Sequence, residues 1–65
     1  EMSQLKTMRT LLGLSQQEVA NKLKTSQANI CQMERKGIYD TRVANKYGKA
    51  LGCNPIFLLE EISKY

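Results

Sequence analysis

Histidine and tryptophan are absent from this chain of 65 residues, cysteine occurs twice, and proline and phenylalanine once each. Without histidine the commonest proton-transfer side chain is missing. No glycine-rich phosphate loop and no close carboxylate pair stands in for it, so no catalytic constellation can be assembled and the chain is read as a non-enzyme. Cys31 and Cys53 have no CxxC spacing, and two thiols alone cannot make a four-ligand zinc site; no metal and no other cofactor is expected. The two thiols are read as free, because Cys31 falls inside a helix and intracellular thiols stay reduced; Cys53 reads as a small apolar residue of the core. No apolar run approaches the length of a bilayer span, and the opening EMSQLKTMRT lacks the apolar core of a secretion signal. No membrane partner is expected, and the location is expected to be cytoplasmic.

What the chain does have is positive charge in its middle. The formal net charge is +4, yet between residues 22 and 49 seven basic residues (Lys22, Lys24, Arg35, Lys36, Arg42, Lys46 and Lys49) face only Glu34 and Asp40. Glu60 and Glu61 make the far end acidic. A basic middle beside an acidic end points to a polyanion on one face. Residues 1–65 make one domain at most, and so short a chain buries too little surface to be robust without a staple, a metal or a partner; a second copy is the expected help.

Hydrophobic spacing predicts an all-α fold of five helices. Met2, Leu5, Met8 and Leu12 define the first over about residues 2 to 12, with Gly13 ending it. Ser15 and Glu18 form a capping box that opens a second helix near Gln16, which runs to Leu23 and buries Val19, Ala20 and Leu23. Thr25 and Ser26 are suited to cap a third, about Gln27 to Glu34, with Ile30 and Met33 inward and Ala28, Cys31, Gln32 and Arg35 roughly opposite. That outward face is uncharged until Arg35, and its amides are of the type that reads base edges. Asp40 or Thr41 caps a fourth helix carrying Val43, Ala44, Tyr47, Ala50 and Leu51. Asn54 and Pro55 start a fifth, Ile56 to about Ser63, which holds more apolar surface than one short face can hide. Phe57 is assigned to the core; Leu58, Leu59 and Ile62, with Ile38 and Tyr39 of the preceding connection, are assigned to a homodimer interface.

Arg9, the run Leu12-Gly13-Leu14-Ser15-Gln16, Glu18-Val19-Ala20, Ser26-Gln27, Ile30, Met33-Glu34, Ala50-Leu51-Gly52 and Pro55 to Leu59 together resemble the Cro and C1 type helix-turn-helix domains of phage repressors. The resemblance spans about Leu5 to Leu59, with the motif at about residues 16–35. It implies a compact five-helix bundle of the lambda-repressor type that binds operator DNA as a dimer. On the matching positions it implies base reading by Gln27, Ala28 and Gln32, with Asn29 flanking them. It implies backbone contacts from Gln16, Ser26, Arg35, Lys36 and Arg42, and a structural ion pair between Arg9 and Glu34. Two positions depart from the family: Lys24 stands where glycine is frequent, so it must accept a left-handed or otherwise costly backbone, and Thr25 replaces an apolar residue. The expected function is a sequence-specific double-stranded DNA-binding regulator, most simply a repressor. The competing expectation is a protein-interaction module, antitoxin-like or regulator-binding, that keeps the fold without reading DNA.

Overall fold

The computed structural model describes residues 2–60, and over these the chain is all-α, with four α-helices and one short 3-10 turn. The expected Ile62 of the interface lies outside the described residues. Helix α1 is Gln4–Leu11, shorter at its start than expected because Ser3 caps it, its hydroxyl accepting the Lys6 amide at 3.2 Å. Helix α2 is Gln16–Leu23 and opens with the complete capping box: Ser15 Oγ accepts the Glu18 amide, and the Glu18 carboxylate accepts the Ser15 amide at 2.7 Å. These bonds hold the Glu18 carboxyl below its ordinary value, the Ser15 backbone bond contributing most.

Helix α3, Gln27–Lys36, continues past Glu34 until Gly37, whose φ of 86° stops it. Asp40, not Thr41, caps α4 (Thr41–Leu51), accepting the Arg42 amide at 2.8 Å. The fifth helix is not formed as expected. Pro55–Leu58 makes a single 3-10 turn, after which Leu59 is extended and pairs with Ile38 in an isolated parallel bridge. The Glu60 amide donates to the Ile38 carbonyl at 2.8 Å. The Leu59–Glu60 backbone thus satisfies itself against the α3–α4 connection instead of continuing a helix. The Glu60 carboxylate also accepts the Gln4 amide at 2.8 Å, so the same short segment caps the start of α1.

The core is Leu5 of α1, Val19 and Ala20 of α2, Ile30 of α3, Ala44, Tyr47 and Leu51 of α4, and Ile38 and Leu58 from the two paired segments. This corrects three assignments. Ile38 and Leu58, expected at a dimer interface, are 1% and 0% exposed and fill the monomer core, whereas Phe57, expected in the core, is 56% exposed. Three consecutive residues cannot share one side of a 3-10 turn; Leu58 goes in, and Ile56 and Phe57 go out. Tyr39 is exposed as expected, and Leu59 is half-buried against the core. Met2 and Leu12, placed with Leu5 on one apolar face, lie at the margins and are exposed. Cys31 and Cys53 are both free, and Cys53 packs against the core. No helix among the described residues is long and apolar enough to cross a membrane.

Candidate nucleic-acid interface

The turn between α2 and α3 is built by backbone bonds, with Lys24 as its pivot. Lys24 adopts φ 58° and ψ 48°, the left-handed conformation. Its amide donates to Asn21 O at 3.2 Å while the Thr25 amide reaches back to Ala20 O at 2.9 Å, the paired bonds that close a helix around a left-handed residue. Ser26 then caps α3, accepting the Asn29 amide at 3.2 Å. Ala20, fully buried, lets the two helices cross closely.

On α3 the inward positions are Ile30 and Glu34, with Met33 packed beside them, which leaves Gln27, Ala28, Asn29, Gln32, Arg35 and Lys36 exposed. Gln27, Ala28 and Gln32 therefore stand where the sequence puts them, on the open face. Asn29 differs in detail: its side-chain amide donates to Thr25 Oγ1 at 2.6 Å, which turns it toward the inter-helix turn. Cys31 is half-buried and lines a groove with Gln16, Glu34, Arg35, Lys36, Lys6 and Tyr39. Across α3 a second groove of about 340 Å³ is lined by Thr25, Asn29, Gln32, Lys36 and Lys46 among others. Arg42 is exposed, its guanidinium a loose 3.9 Å from Asp40, a distance at which a surface pair contributes little and leaves the cation available.

Beneath the face lies a continuous run of hydrogen bonds. Arg9 Nε donates to Glu34 Oε2 at 2.5 Å and Arg9 Nη2 to Glu34 Oε1 at 3.3 Å, with side chains only 13% and 4% exposed. Arg9 Nη1 donates to the Leu14 carbonyl at 2.8 Å. The ion pair implied by the resemblance is thus present, and it ties α1 to α3 and to the α1–α2 turn. Glu34 Oε1 also accepts from Gln16 Nε2 at 2.9 Å, and Gln16 Oε1 accepts from Gln27 Nε2 at 3.2 Å. Two features escaped the sequence reading: the Gln16–Glu34 bond, and the place of Lys46 beside Gln32 and Lys36. Lys46 lies one helical turn after Arg42, a spacing that could have drawn attention to it.

The arrangement offers a polar, uncharged helix face bordered by cations on both flanks. Among the described residues no group of histidine, cysteine or acidic side chains could hold a metal ion. Comparison with known proteins adds no relative: no family model, no curated protein and no solved structure matches the chain.

Proposed function

We propose that this protein is a sequence-specific, double-stranded DNA-binding transcriptional regulator of the Cro and C1 helix-turn-helix type, acting in the cytoplasm as a repressor that occupies a palindromic operator as a dimer. The observation that carries the reading is the run from Arg9 through Glu34 and Gln16 to Gln27, which braces an exposed carboxamide at the leading edge of α3. In this reading α3 enters the major groove. Gln27 takes two hydrogen bonds with an adenine edge, Ala28 touches a thymine methyl, and Gln32 reaches further along the groove. Gln16, Ser26, Arg35, Lys36 and Arg42 hold phosphates and carry no sequence information themselves. Two copies would set their recognition helices ~34 Å apart, in successive turns of the groove. Repression then needs no chemistry, because an occupied promoter excludes polymerase.

Selection of bound duplexes from a random pool tests this. The expected product is a palindrome whose affinity falls with salt at a slope of about −0.9 per phosphate neutralised. Gln27→Ala should cost about 1 to 3 kcal/mol on that site and relax one or two base pairs, while Arg35→Ala should weaken all sequences alike and flatten the slope by about one unit. No enrichment, or binding only to a protein partner, would reject the reading in favour of an interaction module.

A further inference from the structure

We infer that Glu34, acting through Gln16, sets the direction in which the Gln27 carboxamide faces DNA, and so determines which base Gln27 selects. This rests on the DNA-binding reading above and gives Glu34 a role beyond its pairing with Arg9.

The argument follows from the hydrogen-bonding capacity of each group. An ionised carboxylate only accepts. Glu34 takes Arg9 on both oxygens and Gln16 on Oε1, and since both oxygens only accept, the nitrogen of Gln16, not its oxygen, must face Glu34; the contact is 2.9 Å. The Gln16 oxygen is thereby turned toward α3. A carboxamide oxygen also only accepts, so Gln27 must present its nitrogen to it, at 3.2 Å. What remains free on Gln27 is its oxygen and one N–H, in a fixed order relative to the helix axis. In the major groove adenine offers an acceptor at N7 beside a donor at N6, whereas guanine offers two acceptors. One donor and one acceptor in fixed order suit adenine and leave guanine with an acceptor facing an acceptor.

The Arg9 end of the run cannot reverse. Arg9 has only donors, and its Nη1 is held by the Leu14 carbonyl at 2.8 Å. Arg9 and Glu34 are largely shielded from water, where such bonds are stronger and their alternatives fewer. A free glutamine on a helix surface turns its amide over readily. Gln27 cannot do so without breaking its bond to Gln16, and Gln16 cannot without setting an oxygen against Glu34.

Glu34→Gln tests the inference. In that variant only one atom of the side chain can still accept. With the amide oxygen held by Arg9 Nε, the shorter of the two Arg9 bonds, the nitrogen takes the place of Oε1, gives up the longer Arg9 Nη2 bond and faces Gln16, which reverses every later link and presents Gln27 with its nitrogen outermost. Binding of the variant to duplexes that differ only at the base opposite Gln27 is compared with that of the unaltered protein. The unaltered protein should prefer adenine by roughly tenfold or more. The variant should fall to within about twofold, with guanine gaining most. If Glu34→Gln does not fold by circular dichroism, Gln16→Met supplies the measurement, since it leaves the Arg9–Glu34 pair in place and cuts the run beyond it. It lowers affinity for every sequence by losing a phosphate contact, but the adenine ratio should collapse as well. A preserved ratio in either folded variant overturns the inference while leaving the DNA-binding reading intact. An unaltered protein with no base preference in duplex binding overturns both.

Discussion

Lys24 is the one non-glycine residue with positive φ among those described. A left-handed backbone costs a side-chain-bearing residue about 1–2 kcal/mol, and glycine would remove that strain while adding about 0.5–1 kcal/mol of unfolded-state entropy. Lys24→Gly is therefore expected to stabilise the protein by about 0.5–1 kcal/mol, seen as a higher urea midpoint at an unchanged slope. A lowered midpoint would show that the turn is not held as described. Two further residues give the protein an alkaline limit. Burial pushes the Cys53 thiol above its ordinary 9.0, and burial, then the negative charge of Glu34, pushes the Tyr47 phenol above 10.0. Both groups have raised folded values, so their contribution to stability is complete below the unfolded values and is lost as pH rises through the folded ones. Melting temperature should decline above about pH 9, and Cys53→Ala should delay the onset toward the tyrosine range.

At the scale of the elements, α4 contains a glycine that helix propensity alone would replace. Alanine at an interior position gains about 1 kcal/mol over glycine. At Gly48, however, a Cβ would meet the Cys53 carbonyl oxygen at 2.9 Å and Pro55 Cγ at 3.0 Å, where α4 packs on the segment that follows it. A backbone oxygen cannot swing aside as a flexible side chain can, so Gly48→Ala should destabilise by about 1–2 kcal/mol in thermal or urea melts. A gain in stability would mean that this packing is looser than described. The same elements show what was legible in the sequence. The four α-helices were, because each has apolar residues at three- or four-residue spacing and three of them have a legible cap, Ser15 with Glu18, Ser26, and Asp40; the cap of α1, Ser3, escaped the sequence reading, and its start was accordingly misplaced. The fifth helix was not legible. Its run of apolar residues has no single face, and the partner that draws Leu59 into extended backbone, Ile38, lies far away in sequence.

For the whole molecule, exposed and buried apolar side chains meet within three consecutive residues, Ile56 and Phe57 outside and Leu58 inside, and we propose the exposed pair in place of Leu58 as part of the dimer surface. Leu58→Ala should cost about 2–5 kcal/mol and threaten folding at any concentration. Phe57→Ser should leave monomer melting within about 0.5 kcal/mol of its starting value but weaken self-association, read by sedimentation equilibrium. Equal effects on the fold would refute the division. The site was legible to a similar depth. Helical spacing put Ala28 and Gln32 on the open face, with Cys31, which the structure half-buries, and the resemblance supplied Gln27 beside them and the pairing of Arg9 with Glu34. The bond from Gln16 to Glu34 could not be read that way, since a helical wheel orders the residues of one helix and is silent on which side chains of two helices meet.

The clasp of Glu60 on Gln4 and Ile38 carries a kinetic consequence. Its contact with Gln4 joins residues 56 positions apart, a span that encloses all four helices. Closing a loop of that size spends more chain entropy than any helix–helix hairpin within it, so this contact belongs late in folding and is the first to open from the native state. In native-state hydrogen exchange the amides of Gln4 and Glu60 should exchange ahead of those of Ile30 and Ala44, and at a rate insensitive to substitutions that destabilise only the helical core.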